Sequence, residues 1–316
     1  MKIVYVTGCL GFIGSYVTRK CLEKGWMVYG VDKCTYAANT DLIEEFTKHS
    51  NFRFERADIK DLDHLYDCDY VINTAAESHV ANSIVSSDKF LETNVLGTKN
   101  LLELIRSKQK NVGKRPILLH FSTDEVYGDI VNGNHSENDL LKPSNPYSAS
   151  KAAADMLVLA WARTYDLQYN IVRPANNYGI GQYPEKLIPL TIKNLNRGRK
   201  TCLHNNGEPY RCWLHADDTA EAVIRIIESG KLNEIYNISG HEEHKNIHTV
   251  QKIIESYGYN IGDINKYVDF TYSRQGQDVR YSVDDEKLQS LGWYPKKKFD
   301  EEIESIVEFY KNKFIW

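Results

Sequence analysis

Ile3-Val4-Tyr5-Val6-Thr7-Gly8-Cys9-Leu10-Gly11-Phe12-Ile13-Gly14 decides the fold. The apolar run Ile3–Val6 reads as a buried strand, and three glycines at GxxGxxG spacing then open a helical segment at residues 13–24. Glycine at such a junction permits a tight turn. It also lets backbone N–H groups approach a pyrophosphate at a helix N-terminus, and lets helix and strand pack closely. A glycine triplet alone is a weak signal whose plain alternative is an ordinary turn; its place between the first strand and first helix points to a dinucleotide site. Asp32 ends the next strand, where an acid is expected to take the adenosine ribose hydroxyls. Its charge repels a 2′-phosphate and favours NAD over NADP, although Lys33 beside it offsets part of that repulsion.

Outward from this turn, strand-like runs at residues 3–7, 27–31, 52–56, 70–74, 117–122 and 169–173 alternate with helical segments at 13–24, 88–108 and 147–165. In the last segment Ala152, Ala153 and Ala154 favour helix, and Met156, Leu157 and Ala160 supply an apolar face. The alternation predicts an α/β fold, a Rossmann-type doubly wound parallel sheet with right-handed crossovers. After Arg173-Pro174 the pattern loosens: helical pieces at 187–196, 217–229, 249–258 and 300–313 mix with short strands at 201–204, 235–238 and 267–271. No repeat or low-complexity linker divides the halves, so a smaller α/β lobe interleaved with the first is expected. Residues 1–175 are expected to form the NAD-binding domain, with part of 215–240 returning to it. Residues 176–316 are expected to be mainly the substrate lobe.

With 316 residues, 42% of them hydrophobic, the chain suffices for one large or two modest packed units. Net charge is −4 with both signs interspersed, which argues against nucleic-acid or membrane binding and for a small-molecule partner. Met1-Lys2 leads directly into the first strand, leaving no room for a secretory leader, and no apolar run approaches the roughly 18 residues of a membrane span. Cys9, Cys21, Cys34, Cys68, Cys202 and Cys212 show neither CxxC pairing nor metal-type spacing with histidine. Reduced thiols, a cytoplasmic location and no bound metal are therefore expected.

Tyr147 and Lys151, four apart at a helix start, face the same way. Tyrosine ionises near pH 10, so it serves as a base near neutrality only where cations stabilise its phenolate, as Lys151 and an oxidised nicotinamide would. Tyr16/Lys20 and Tyr294/Lys298 share the spacing, but the first pair lies within the helix after the glycine turn and Tyr294 precedes Pro295. Only Tyr147/Lys151 follows a strand ending in Ser122-Thr123, where Thr123 could bond the substrate hydroxyl or cap a turn. Asp124-Glu125 comes next. Hydride transfer needs one proton-handling group, so two more carboxylates suggest an added acid/base step; adjacent like charges in a water-poor cleft raise the pKa of one member, without identifying which.

Thr7-Gly8-x-x-Gly11-Phe12-Ile13-Gly14, Asn94, Ser122-Thr123 and Tyr147-x-x-x-Lys151 resemble the extended short-chain dehydrogenase/reductase family. Ala75-Ala76-Glu77-Ser78-His79-Val80, Thr123-Asp124-Glu125-Val126-Tyr127-Gly128, Asn145-Pro146-Tyr147, Asn176-Asn177-Tyr178-Gly179 and Tyr183-Pro184-Glu185-Lys186-Leu187 resemble, more closely, its nucleotide-sugar 4,6-dehydratases. The resemblance runs from Ile3 to the last helix, and its most specific part is the Thr-Asp-Glu triplet. It implies NAD as cofactor, held by Gly8, Gly11, Phe12, Ile13, Gly14, Asp32, Lys33, Asp58, Ile59, Ala75, Ala76, Asn94, Tyr147 and Lys151. It implies a nucleoside-diphosphate glucose, dTDP-glucose or UDP-glucose, as substrate. Thr123, Tyr147 and Lys151 would serve the oxidation at C4, Glu125 would take the C5 proton and Asp124 would protonate the departing 6-hydroxyl. Ser78 and His79 would border the sugar, and Asn176, Lys186, Leu187, Arg211, Asn237 and Arg274 the phosphates or nucleoside.

The chain departs from the family pattern at Arg211-Cys212-Trp213, commonly Arg-Asp-Trp, and at Arg274-Gln275-Gly276-Gln277-Asp278, commonly Arg-Pro-Gly-His-Asp. Both departures leave the nucleotide preference open. The resemblance further implies a homodimer built from the helices at 88–108 and 147–165, with Leu157 and Trp161 either at the interface or facing the sheet. Two alternatives stand beside dehydration: an NAD-dependent nucleotide-sugar 4-epimerase, which needs Tyr147/Lys151 but no Asp-Glu pair, and a dinucleotide-binding protein without turnover.

Overall fold

The computed structural model describes residues 1–112, 116–273 and 278–314. Seven parallel strands form the central sheet: β1 (Ile3–Thr7), β2 (Met27–Asp32), β3 (Phe52–Arg56), β4 (Tyr70–Asn73), β5 (Ile117–Phe121), β6 (Tyr169–Pro174) and, from much later in the chain, Glu234–Ile238. Their spatial order places that late strand next to β6, followed by β5, β4, β1, β2 and β3. The order reverses between β1 and β4, and in such sheets the crevice beyond the carboxyl ends at the reversal receives the ligand.

Alternation along β1 sorts the core into two layers. Val4 and Val6 face Val17, Cys21, Val223 and Ile227, from helices Phe12–Glu23 and Ala216–Ser229. Tyr5 faces the other layer, with Leu101, Ile105 and Val158 from helices Thr98–Val112 and Pro146–Tyr165. Strands covered on both faces are buried almost throughout, as continuous apolar runs require.

Later in the chain, β10 is the Glu234–Ile238 strand of the main sheet, while the second lobe carries β7 (Asn176–Tyr178), β8 (Thr201–Cys202), β9 (Tyr210–His215), β11 (Glu242–Lys245) and β12 (Val268–Asp269). β11, β9 and β7 form one small sheet, β12 and β8 another. Helices Leu187–Asn196, Asn246–Ser256 and Phe299–Asn312 close a separate core around Ile192, Ile253, Ile306 and Trp213.

The strands expected at 201–204 and 267–271 shorten to Thr201–Cys202 and Val268–Asp269, and one expected helix differs. The helix anticipated at 88–108 is interrupted by a π-helical stretch, Leu91–Gly97, between Asp88–Phe90 and Thr98–Val112. Such insertions redirect side chains and cluster at functional sites. Here it carries Asn94, which accepts the Glu77 N–H at 2.9 Å and donates to the Glu77 carbonyl at 3.0 Å and Ser150 Oγ at 2.8 Å. Asn94 thus ties the chain leaving β4 to the helix that bears Tyr147 and Lys151.

Candidate active site

The glycine turn is built as a cradle. Gly8 has φ +70°, in the left-handed region, and a Cβ on Gly14 would lie 2.0 Å from the Gly8 carbonyl oxygen. Gly11 occupies the N-cap of helix Phe12–Glu23, and no side chain caps that end. An uncapped N-terminus leaves amide N–H groups directed at whatever fills the crevice, and the helix dipole favours an anion there. Asp32 is buried at the end of β2, accepting the Leu10 N–H at 3.0 Å and the Cys34 N–H at 2.8 Å. Burial raises its pKa against those bonds. Lys33 pairs with Asp58 at 2.7 Å, so its charge is already answered and the repulsion of a 2′-phosphate by Asp32 stands. These features fit NAD: the cradle for the pyrophosphate, Asp32 for the ribose, and a wall that continues through Ile59, Ala75 and Ala76 to Tyr147 and Lys151.

At the far end of this cleft, β5 runs into the 3₁₀ turn Asp124–Tyr127. Thr123 caps it, accepting the Glu125 N–H at 3.3 Å, and its hydroxyl donates to Asp124 Oδ1 at 3.2 Å. It therefore both caps the turn and touches Asp124, and it draws the Tyr147 pKa downward against burial. Asn145 and Ser148 form a capping box on helix Pro146–Tyr165, with Pro146 in its first turn. That start fixes Tyr147 in the first turn and Lys151 one turn on. Asn145 Nδ2 reaches Glu125 Oε2 at 3.5 Å, and Tyr281 OH reaches the same oxygen at 3.4 Å.

The two carboxylates differ in setting. Asp124 is 2% exposed, and burial followed by the neighbouring Glu125 pushes its pKa up to about 7. Its Oδ2 is buried with no hydrogen-bond partner among the described residues. Glu125 is half-buried and hydrogen-bonded. Burial thus favours the protonated form of Asp124, in a pair that sequence alone left undecided. Burial lowers Lys151 to about 8, with Asp155 opposing, while burial and both acids hold Tyr147 well above the ordinary tyrosine range.

Other expected contacts divide. Ser78, Asn176 and Lys186 line the cleft; Asn176 Oδ1 is buried without a partner, and Lys186 Nζ donates to the Ser78 carbonyl at 2.7 Å. His79 occupies the N-cap position of helix Val80–Val85 without a side-chain cap, and its buried Nδ1 has no hydrogen-bond partner among the described residues. Arg211, on β9, stacks 4.5 Å from the Tyr281 ring and draws the Asp124 pKa downward against its burial. Leu187 packs against the core of the second lobe. Asn237 is a correction: it is fully buried, and its amide is spent on Tyr127 OH at 2.8 Å and on the carbonyls of His135 and Asp284. Arg274 lies outside the described residues. Cys212, where the family pattern has aspartate, is buried against Ser239 at 3.4 Å.

Sequence reasoning missed Asn145, Tyr36, Glu185 and Tyr281. Asn145-Pro146 carried the signal of an N-cap followed by a first-turn proline. Tyr36 OH bonds to Glu185 at 3.1 Å, and its ring meets Tyr183 edge-on at 5.1 Å, bringing the loop after Asp32 against the second lobe. No local pattern announced that contact or the one made by Tyr281.

A dinucleotide cradle at the reversal point of a parallel sheet, with a tyrosine and a lysine one helical turn apart beside it, defines an extended short-chain dehydrogenase/reductase. The family profile described as GDP-mannose 4,6 dehydratase matches residues 5–306, and the chain belongs to that family. The dTDP-glucose 4,6-dehydratase of Escherichia coli is 40% identical over 345 residues, covering 100% of this chain and 94% of that protein. The low-salt glycan biosynthesis protein Agl12 of Haloferax volcanii is 38% identical over 312 residues, covering 97% and 98%. Among solved structures, DesIV of Streptomyces venezuelae, a dTDP-glucose 4,6-dehydratase with NAD and TYD bound, superposes with TM-score 0.89 at 35% identity over 98% of this chain and 97% of its own. UDP-glucose 4-epimerase of Thermotoga maritima gives TM-score 0.86 at 27% identity over 98% and 99%.

Proposed function

We infer that the protein is an NAD-dependent hydro-lyase that removes water from a nucleoside-diphosphate glucose to give the 4-keto-6-deoxy sugar. One observation carries the reading: a fully buried, proton-holding Asp124 adjoins a hydrogen-bonded Glu125, and both act electrostatically on Tyr147. Oxidation and re-reduction at C4, the chemistry of an epimerase, uses neither carboxylate.

Held by the Gly8–Gly14 cradle and Asp32, NAD would supply the hydride chemistry, as acceptor from sugar C4 and donor to C6. Tyr147, with Lys151 one turn behind it, takes the proton of the 4-hydroxyl. The C4 ketone acidifies the C5 hydrogen, and Glu125 removes that proton. Asp124 protonates the 6-hydroxyl so that it leaves as water. Glu125 then returns a proton to C5. The roles require one acid and one base side by side, which the unequal burial of the two carboxyls supplies.

Residues 1–175 with the returning β10 strand form the cofactor-holding domain, and residues 176–316 mainly bind the nucleotide sugar. The parallel pairing of β10 with β6 supports this division. Asn176 and Arg211 serve the diphosphate side, the arginine as a cation and the asparagine as a neutral donor. dTDP-glucose is the favoured substrate, because relatives named for it match along the whole chain. A cytoplasmic location agrees with six free cysteines; no helix among the described residues is long and apolar enough to cross a membrane.

A homodimer is supported by apolar side chains left in solvent on neighbouring helices. Val85 is 88% exposed, Leu96 51% and Met156 48%. Leu157 and Trp161 instead pack against the sheet-facing core. Incubation with dTDP-glucose and with UDP-glucose, read by the alkali-induced absorbance of a 4-keto sugar, tests the function. Galactose product without ketone would assign the chain to the epimerases.

A further inference from the structure

Beneath the site a band of polar side chains crosses the sheet at one level. Thr7, Asn73 and His120 are register partners on β1, β4 and β5. Thr7 Oγ1 donates to Asn73 Oδ1 at 2.7 Å, and Asn73 Nδ2 meets His120 Nδ1 at 3.1 Å. An amide nitrogen only donates, so Nδ1 of a neutral His120 accepts and the ring proton resides on Nε2. Burial does hold His120 neutral, well below its ordinary pKa. Nε2 stands 3.8 Å from Asp155 Oδ1, and neither atom has a hydrogen-bond partner among the described residues.

Asp155 lies one turn beyond Lys151 on the same helix and is fully buried. Its Oδ2 receives Ser122 Oγ, Arg173 Nε and Arg173 Nη2, each at 3.0 Å. Its Oδ1 is left to face His120, and its charge acts on Lys151 from one helical turn away. Ser122 directly precedes Thr123, and Arg173 Nη1 also reaches Tyr127 OH at 2.7 Å, at the end of the turn that bears Asp124 and Glu125. One carboxylate thus holds together the strand end, the turn and the helix that converge on the sugar.

The charge count is informative. Lys151, Arg173 and Asp155 are all buried, and His120 is neutral. With Lys151 protonated, the set carries one net positive charge, which a phenolate at Tyr147 needs nearby. Without Asp155, two cations would share a low-dielectric site, and only Lys151 could relieve the repulsion by losing its proton.

We propose that Asp155 is a positioning residue for the oxidation step: paired with Arg173 and Ser122 it anchors the Thr123–Glu125 turn, and from one helical turn beyond Lys151 it keeps that lysine charged beside Tyr147. It acts through Lys151 and touches no substrate. The proposal rests on the roles given above to Tyr147 and Lys151, which the Tyr147→Phe variant tests separately. The titratable groups facing the pair are Arg173 from β6, His120 from β5 and, across Tyr147, Asp124 and Glu125.

The test compares wild type, Asp155→Asn and the double variant Asp155→Asn/Arg173→Gln, each with NAD, by transient reduced-nicotinamide absorbance after mixing with dTDP-glucose. The pH runs from about 6 to 9.5, with KM measured alongside. Asp155→Asn is expected to oxidise the sugar at least about tenfold more slowly, with its high-pH limb moved about one unit or more toward acid and KM within about twofold. The double variant restores a net charge of one and is expected to return the limb to its wild-type position. An unchanged rate and limb in Asp155→Asn would overturn the proposal. So would parallel losses of rate, substrate affinity and NAD binding with unmoved limbs in both variants, the mark of a purely structural role. Should Asp155→Asn not fold, the double variant decides by the same limb; a double variant that also fails to fold counts against the proposal, since it preserves the buried charge. Normal oxidation by Tyr147→Phe would defeat the underlying reading instead.

Discussion

Replacing Asp124 by asparagine keeps the side-chain volume and removes the ionisation, so it isolates the proton assigned to this carboxyl. In the fold Asp124 titrates at about 7; in an unfolded chain it titrates at about 3.9. The folded state therefore binds the proton more tightly. The stability this contributes is fully present below about pH 4, and it is lost as pH rises toward about 7. A gap of about three pH units corresponds to about 4 kcal/mol, and at 2% exposure solvent screening removes little of it. Asparagine pays no such penalty. Relative to wild type, the variant should gain about 1–2 kcal/mol at pH 5 and about 4 kcal/mol at pH 8, a widening of about 4 °C in Tm for a chain of this size. Thermal unfolding of both proteins by circular dichroism, without added nucleotide, reads the difference directly. A Tm difference that is the same at both pH values would refute the buried, proton-holding Asp124. In turnover the same variant should still form transient reduced cofactor, with water loss slowed by about 100-fold or more.

Glu125→Gln should also retain transient cofactor reduction but lose exchange of the C5 hydrogen with deuterated water, followed by proton NMR; continued exchange at the wild-type rate would place the base elsewhere. Tyr147→Phe should suppress the first oxidation by about 100-fold or more with NAD still bound, as stopped-flow absorbance and NAD titration would report. In Gly14→Ala the added Cβ would meet the Gly8 carbonyl oxygen at 2.0 Å, so the turn must open. A stability loss of about 1–3 kcal/mol and NAD binding weakened about tenfold or more are expected, checked by thermal unfolding and fluorescence titration.

The first six strands were legible because both faces of a parallel sheet are covered: Ile3–Val6 stays apolar throughout, and in Ile117–Phe121 only His120 breaks the apolar run. Glu242–Lys245 was not, since a short strand of charged and polar residues on a half-exposed sheet has no apolar alternation to read. Nor was the π-helical stretch Leu91–Gly97, whose altered hydrogen-bond register leaves no compositional mark. In the site, the glycine turn, Tyr147/Lys151 and Asp124-Glu125 stood out because their chemistry is local in sequence. Asp155, Arg173 and His120 did not, because a charge within a helix or strand usually marks a solvated face, and only the fold shows that these three meet in the interior. Asn237 erred the other way: a polar residue expected at the nucleotide instead satisfies Tyr127 and two backbone carbonyls in the core.

The central claim is that the hydride taken from C4 returns to C6 of the same sugar, while Glu125 and Asp124 remove water between the two transfers. dTDP-glucose carrying deuterium at C4, converted in ordinary water and analysed by NMR of the sugar, tests it most directly. A 4-keto product with the label in its C6 methyl group is expected, whereas a 4-epimer that retains deuterium at C4 and lacks a new methyl group would contradict the account.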